Sequence, residues 1–303
     1  KNSTIFLKPK EIKKQIKNLD KKVKKSIDLS YKRIFEFHLK QKVKNIYYKD
    51  KLQNKLSYKY IPLDSVGIYV PGGTASYPST VLMNAIPAII AGVKRIVMVN
   101  PRNKGKQNSG VLYAAKKCGI KEIYSIGGAQ AVATLAYGTK KIIKVNKIVR
   151  PGNLYVTTAK KEIFGDVGID MIAGPSEITV VGDKYSNPNW IVSDLIAQAE
   201  HDEQSQSILI SKDKNLINKV KKLLFYELKK LPRRSIATKS LKSNGILISV
   251  SSDQKMIEVI NRIAPEHLEL NIKNYKNYVN RITNAGSIFL GKYSTEAVGD
   301  YLV

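Results

Sequence analysis

The chain has little cysteine and no long apolar run. Its 303 residues include one cysteine, Cys118, which excludes an intrachain disulfide and fits a reducing cytoplasm. We interpret Cys118 as a small core residue on a helix. No stretch of about 18 uninterrupted apolar residues occurs, and "NAIPAIIAGV" predicts a buried helix containing Pro87. The chain opens on Lys1 rather than methionine, and we expect its natural start to lie upstream.

The common fingerprints of nucleotide and hydrolase sites are also missing. The chain contains no G-x-G-x-x-G, no P-loop and no G-x-S-x-G motif. An ordinary dinucleotide fingerprint, a kinase-like NTP site and an α/β-hydrolase nucleophile therefore lack support. Glycine-rich turns do follow predicted strands, and they favour phosphate or nucleotide binding because ligands collect at the carboxyl ends of parallel strands.

Arginine is scarce in a strongly basic chain. The formal net charge is +28, but 44 of the 52 basic residues are lysine and 8 are arginine. Proteins that read nucleic acid through bidentate contacts rely on arginine, and the sequence has no basic stripe interleaved with aromatic residues at the spacing of a known module. We interpret lysine as the default surface residue and predict that the chain binds no nucleic acid. The alternative is a basic binding protein that uses its lysine-rich N-terminal helices.

Strands and helices alternate from residue 66 onward. Before that point, apolar residues at helical spacing from Ile12 to Ile27 predict one helix, and a second helix carries Ile34, Phe35 and a structural His38. The buried strands "VGIYV" and "RIVMV" open one βαβ series, and "EITVVGD" opens another, with helices predicted at 188–201, 215–230, 254–264 and 275–283. This rhythm predicts an α/β fold with parallel sheets wrapped by helices.

The segment "IAPEHLELNI" places one of the chain's three histidines beside a glutamate. Pro265 ends a helical pattern, and alternating leucines then predict a strand, so Glu266 and His267 lie at a helix-to-strand junction. Adjacent residues point in different directions, which disfavours a hydrogen-bonded pair but allows both to face one ligand. A solvated turn is the alternative for this motif taken alone.

A second candidate site lies in "IVSDLIAQAEHDEQSQ". Asp194, Gln198 and His201 follow one another by steps of four and three, which places them on one face of a helix. An imidazole with amide or carboxylate oxygens suits Zn²⁺ or a similar divalent ion, although the spacing alone is unspecific. Ser176 in "AGPSEITVV" precedes a predicted strand, where a turn or capping hydroxyl is more common than a nucleophile.

Seven separated blocks together resemble the histidinol dehydrogenase family. In chain order they are "VGIYVPGGTASYPSTVLM", "GGAQAVATLAYGT", "DMIAGPSEITVV", "SDLIAQAEHD", "APEHLEL", "AGSIFLG" and "EAVGDY". The resemblance implies oxidation of L-histidinol through L-histidinaldehyde to L-histidine, with NAD⁺ used twice and one Zn²⁺ per site. It also implies a cytoplasmic homodimer and two incomplete Rossmann-like units, one inserted in the other, while the lack of a long apolar run predicts no membrane partner. We accordingly expect residues 1–65 to join the second unit, 66–175 to form the inserted NAD-side unit, and 176–303 to carry zinc and the catalytic residues.

The resemblance also implies roles for individual residues. Glu266 and His267 match the catalytic pair, with His267 as the base and Glu266 as the activator of water. The remaining matches fall into three groups: zinc ligands Gln198, His201 and Asp300; substrate contacts Ser176, Gln198, His201, His267 and Asp300; and NAD⁺ contacts Tyr69, Gln130 and Asn153.

The sequence departs from the family pattern at two places. Arg150 stands where the family usually has glycine, close to the expected NAD⁺ contact Asn153. The family also continues beyond the "GDY" block into a segment that bears further substrate and zinc ligands. We therefore expect a chain truncated at its C-terminus, and also in its first helical segment. The alternative function is a truncated derivative that folds but does not turn over.

Overall fold

The structure, a computed structural model, describes residues 5–72, 77–103, 105–150, 154–172 and 174–302, with side chains described as far as residue 299. Two compact units are present, Lys1–Ala173 with Asp300–Val303, and Gly174–Gly299. The described part of the first unit contains α1 (Pro9–Lys17), α2 (Lys21–Lys40), β1 (Ile46–Lys49), β2 (Lys55–Tyr58), β3 (Ser65–Tyr69), α3 (Pro78–Ala91), β4 (Arg95–Val99), α4 (Ser109–Lys117), β5 (Glu122–Tyr124), α5 (Gly128–Tyr137), β6 (Lys147–Val149), α6 (Leu154–Glu162) and β7 (Gly168–Ile169).

The chain continues with β8 (Glu177–Gly182), α7 (Pro188–Ala199), β9 (Gln206–Ser211), α8 (Lys214–Leu228), α9 (Arg234–Asn244), β10 (Gly245–Ser249), α10 (Asp253–Ile263), β11 (His267–Asn271), α11 (Lys276–Val279), β12 (Ser287–Leu290) and α12 (Glu296–Leu302). The sequence predicted α7, α8 and α10 to within two residues at each end. Helix α9 was not predicted, and the helix predicted at 275–283 shortens to the single turn α11.

The apolar residues from Ile12 to Ile27, which were predicted to lie on one helix, are divided between the two helices α1 and α2. Helix α1 ends at Lys17, and Asp20 caps α2 by accepting the backbone N–H groups of Lys22 at 2.6 Å and Val23 at 3.3 Å. The apolar period continues across the break because both helices face the same core.

Both N-terminal helices belong to the first unit, which differs from the expectation that residues 1–65 join the second. Helix α1 packs against α4, and α2 packs against α3 and α4. Ile12, Ile16, Ile27 and Ile34 share one buried cluster with residues of β3, α3 and α4. This burial explains the grouping, since the apolar stripe is covered by the helices of the first sheet.

The first sheet is parallel, with strand order β5-β4-β3-β6-β7. One face packs on α3, α4 and the N-terminal helices, and the other packs on α5 and α6. Pro87 lies inside the buried helix α3, as predicted. Cys118 is buried at the end of α4, as expected of a core residue, and burial raises the pKa of its thiol to about 12.

Strands β1 and β2 form an antiparallel hairpin that the sequence did not predict. Every residue of both strands is exposed, including Tyr47, Tyr48 and Leu56. The aromatic residues of this hairpin therefore do not contribute to either core.

The second sheet is also parallel, with strand order β10-β9-β8-β11-β12. Helix α10 covers one face, and α7 and α8 cover the other. The chain's single tryptophan, Trp190, lies on α7 with its ring centroid 5.5 Å from that of Tyr293. Among the described residues, no helix has the length and apolar character needed to cross a bilayer.

Candidate active site

Glu266 and His267 lie at the predicted helix-to-strand junction. Helix α10 ends at Ile263, Ala264 follows in the left-handed region, and β11 begins at His267. The junction is held to the neighbouring chain because Gly286 donates its N–H to the Pro265 carbonyl at 2.9 Å. A Cβ atom at Gly286 would lie 2.6 Å from the Glu266 carbonyl oxygen, so the close approach requires glycine.

A backbone carbonyl fixes the tautomer of His267. The Nδ1 atom lies 2.9 Å from the carbonyl oxygen of Glu177, the first residue of β8. Since a carbonyl oxygen only accepts, Nδ1 must carry the proton of this hydrogen bond. In the neutral ring Nε2 is then unprotonated, which makes it an available base.

Glu266 is held by the same residue as His267. Its Oε2 atom accepts the backbone N–H of Glu177 at 3.2 Å, and it lies 3.8 Å from Nδ1 of His267. That second distance is too long for a hydrogen bond, so the expectation that the two do not form a hydrogen-bonded pair is confirmed. The Glu177 backbone instead anchors both side chains.

Three of the predicted catalytic and substrate residues of the second unit precede or begin its strands. Ser176 immediately precedes β8, His201 lies before β9, and His267 begins β11. Strand β8 pairs with both β9 and β11 in parallel register, so these amino ends share one edge of the sheet. The general rule that ligands bind at the carboxyl ends of parallel strands therefore does not apply to these three residues.

Gln198 and His201 lie at and just beyond the end of α7. Helix α7 ends at Ala199, so the prediction that His201 shares a helical face with Asp194 and Gln198 is wrong. Gln198 is only 3% exposed, and its buried Nε2 atom has no hydrogen-bond partner among the described residues. His201 is exposed.

Within the described side chains, no group of three or more His, Cys, Asp and Glu residues is placed to hold a metal. The zinc ligands expected from the family include the side-chain amide of Gln198. They also include Asp300, whose side chain is not among those that the structure describes. The unpartnered amide end of Gln198 fits a metal neighbour, because the nitrogen and oxygen of an amide are assigned by their partners and the oxygen is a ligand for divalent ions.

Three carboxyl groups, those of Asp194, Glu269 and Glu296, form a cluster near His267. Glu269 of β11 lies beside Asp194 of α7, and Glu296 of α12 places Oε1 4.0 Å from Nε2 of His267. Burial raises the pKa of Glu269, and the charge of Asp194 raises it further. The pKa of Asp194 is also raised. Burial is the main cause, and the interaction with Glu269 offsets part of the rise. Sequence reasoning missed Glu269 and Glu296, and the alternation of Glu269 with Leu268 and Leu270 has the pattern of a solvent-facing strand residue.

Two of the expected NAD⁺ contacts, Tyr69 and Gln130, lie in the described part of the first unit. Tyr69 ends β3, and its hydroxyl accepts the N–H of Gly128 at 3.1 Å at the start of α5. Gln130 is exposed in the first turn of the same helix. Asn153 lies outside the described residues. The order of the first sheet reverses between β3 and β6, which is where open α/β sheets bind ligands.

Arg150 follows β6 with a φ of 81°, a left-handed conformation that favours glycine. Its backbone N–H donates to Asp170, and its carbonyl accepts Nζ of Lys160 at 3.4 Å. Lys160 is 1% exposed and forms an ion pair with Asp170. This ion pair between a buried lysine and an exposed aspartate holds the chain at the position where the family usually has glycine.

Comparison with known proteins identifies the family. A sequence model described as histidinol dehydrogenase matches residues 1–303. The chain belongs to the histidinol dehydrogenase family. The histidinol dehydrogenase of Pelagibacter ubique is 66% identical over 304 residues, which cover 100% of this chain and 71% of that protein. The histidinol dehydrogenase of Hydrogenovibrio crunogenus is 47% identical over 301 residues, or 99% of this chain and 70% of that protein.

A solved histidinol dehydrogenase agrees with the fold. The crystal structure from Elizabethkingia anophelis matches with a TM-score of 0.94 at 40% identity, covering 99% of this chain and 69% of that chain. The resemblance to the family and the α/β fold class with two parallel-sheet units are therefore confirmed. The roles of the individual site residues stay predictions.

Proposed function

We propose that this chain acts in the oxidation of L-histidinol to L-histidine through L-histidinaldehyde, with NAD⁺ as the oxidant. The observation that carries this proposal is the hydrogen bond between the Glu177 carbonyl and Nδ1 of His267, which leaves Nε2 free to accept a proton. Alcohol oxidation needs such a base to remove the hydroxyl proton as hydride leaves the carbon.

His267 acts in both oxidations. In the first, Nε2 takes the hydroxyl proton while the carbon loses hydride, which yields the aldehyde. The aldehyde must then add water before it can lose a second hydride and become the carboxylate. Glu266 activates that water: its carboxylate is exposed, and one of its oxygens is already held by the N–H of Glu177. A positioned base of this kind accelerates proton transfer by about 10²–10⁴-fold.

The proposed reaction would need two bound groups. NAD⁺ would supply the hydride acceptor, and Zn²⁺ would supply a positive charge that holds the imidazole and amine of histidinol. Gln198, His201 and Asp300 are the proposed zinc ligands, supported by the buried Nε2 end of the Gln198 amide, which has no hydrogen-bond partner among the described residues. Tyr69, Gln130 and Asn153 are the proposed NAD⁺ contacts, supported by the strand reversal beside β3. Ser176 is a proposed substrate contact at the amino end of β8. We further propose that the protein acts as a homodimer in the cytoplasm.

The proposed roles of Glu266 and His267 separate in a half-reaction experiment. The chain is assayed alone and continued after Tyr301 by the C-terminal region of the Pelagibacter relative. Glu266→Gln should still form NADH in a first turnover with histidinol but oxidise histidinaldehyde at least about a hundredfold more slowly, since only the second step needs water. His267→Asn should slow both steps.

Glu258→Gln is a matched control, because Glu258 is a surface residue of α10 paired with Lys255. Equal loss of both half-reactions in Glu266→Gln contradicts the assignment of water activation to Glu266. Full activity of His267→Asn contradicts the proposed base.

The proposed zinc role is tested by metal content. His201→Ala should lower the zinc bound per chain and raise KM for histidinol more than KM for NAD⁺, because the ion is proposed to hold substrate. His38→Ala is the control, since His38 lies on α2 in the first unit. Unchanged zinc content in His201→Ala removes His201 from the ligand set.

A further inference from the structure

Glu269 is a carboxyl group buried two residues after His267. It lies on β11 between β8 and β12, and it is 2% exposed. Neighbouring Leu268 and Leu270 pack on the α10 side of the sheet, so Glu269 faces α7 on the other side. A buried carboxyl group is unfavourable unless it is hydrogen-bonded, and Glu269 has polar neighbours on two elements.

The first partner of Glu269 is the beginning of α12. Its Oε1 atom accepts the backbone N–H of Glu296, the first residue of that helix, at 2.7 Å. The first N–H groups of a helix have no acceptor within the helix itself, so Glu269 acts as a cap supplied by a distant strand. The bond joins β11 to α12 across 27 positions of sequence.

The second neighbour of Glu269 is the carboxyl group of Asp194 on α7. Two ionised carboxylates have no donor between them, so a hydrogen bond between this pair requires one shared proton. A protonated Glu269 can donate to Asp194 while its other oxygen accepts from Glu296. A glutamine can make the same two contacts, because its amide carries one donor group and one acceptor.

We infer that Glu269 is a positioning residue that ties the first turn of α12 to β11 and thereby holds Glu296 opposite the base atom of His267. Glu296 places its carboxylate 4.0 Å from Nε2. An anion at that place favours the imidazolium that forms once His267 has taken the substrate proton. Releasing α12 removes this anion without changing the hydrogen bond between His267 and Glu177. The inference rests on the proposed role of His267.

Amide hydrogen exchange tests the tie directly on the wild-type chain and on two variants. In the wild type the Glu296 N–H should be protected. Glu269→Leu should lower that protection by about tenfold or more, because it removes the acceptor while keeping the side-chain size. Glu269→Gln should keep protection within about threefold of the wild type, because it preserves both contacts. Amides of β8 and β9 report whether the second unit stays folded.

The kinetic arm uses the chain continued by the Pelagibacter C-terminal region. Glu269→Leu should lower kcat by roughly tenfold to a hundredfold with KM for NAD⁺ unchanged, as expected for a misplaced group near the reacting atoms. Glu269→Gln should restore kcat. A purely space-filling role predicts the opposite order, since leucine fits an apolar environment better than an amide.

The outcomes separate this inference from the proposed function. Fast exchange of the Glu296 N–H in the wild type overturns the tie, even if Glu269→Leu does not fold. Equal kcat in the Leu and Gln variants overturns the positioning role. Absence of histidinol oxidation in the continued wild-type chain overturns the proposed function, and in that case the exchange result still decides whether Glu269 holds α12.

Discussion

At the residue scale, Arg150 shows a side chain held in a backbone conformation suited to glycine. Its φ is 81°, and its N–H and carbonyl are fixed by Asp170 and Lys160. A left-handed conformation costs an L-residue about 1–2 kcal/mol. Glycine avoids this strain, but it also makes the unfolded chain more flexible, which offsets part of the gain in stability.

Arg150→Gly should therefore raise the free energy of unfolding by about 0.5–1 kcal/mol, measured by urea denaturation. Arg150→Ala is the matched control, because it removes the cation but keeps the Cβ atom at positive φ. Equal stability of the Gly and Ala variants would show that the strain assigned to this position is absent.

Single residues also show where sequence reasoning worked and where it stopped. The junction at Glu266 and His267 was predictable because Pro265 and the following leucines mark a helix end and a strand start. Glu269 was not, because alternation with Leu268 and Leu270 suggests a solvent-facing side chain. In a central parallel strand both faces are covered, so the alternating polar residue becomes buried and needs partners.

At the element scale, Asp20 determines that the N-terminal segment forms two helices. Its carboxylate accepts two N–H groups at the start of α2, which no residue of α1 could satisfy. The apolar period from Ile12 to Ile27 could not reveal this break, because a short interruption preserves the stripe. A cap residue inside a periodic segment was the available signal.

Asp20→Ala should lower the free energy of unfolding by about 1 kcal/mol, since it leaves two N–H groups without their acceptor. Glu36→Ala on the same helix is the control, because Glu36 is exposed and its contact with Lys32 is 3.9 Å long. Urea denaturation followed by circular dichroism measures both variants. An effect of Asp20→Ala no larger than that of Glu36→Ala would contradict the capping role.

At the scale of the whole molecule, the alternation of strands and helices predicted the two parallel sheets, since each buried strand was followed by an apolar helix. The grouping of residues 1–65 was not predictable from that pattern. It depends on which of the two sheets has the helices that cover the isoleucine residues of α1 and α2. An apolar helix face can pack against either, so the sequence pattern does not distinguish them. The placement of Ser176, His201 and His267 along one edge of the second sheet likewise required the strand order, in which β8 lies between β9 and β11.

The net charge of +28 has a testable consequence for association with DNA. Lysine-based attraction is independent of sequence, so any duplex binding should weaken by about a thousandfold or more between roughly 50 and 200 mM salt. Fluorescence anisotropy with two duplexes of unrelated sequence measures this. Binding that prefers one duplex at the higher salt concentration would contradict the prediction that the chain has no nucleic-acid function.

Each compact unit contains one natural reporter group. Cys118 is buried in the first unit with a thiol pKa raised to about 12, so a thiol reagent reaches it only when that unit opens. Trp190, beside Tyr293, lies in the second unit and is the single tryptophan of the chain. Labelling kinetics and tryptophan emission can therefore follow the opening of the two units separately in the unmodified protein, without introducing a probe into either.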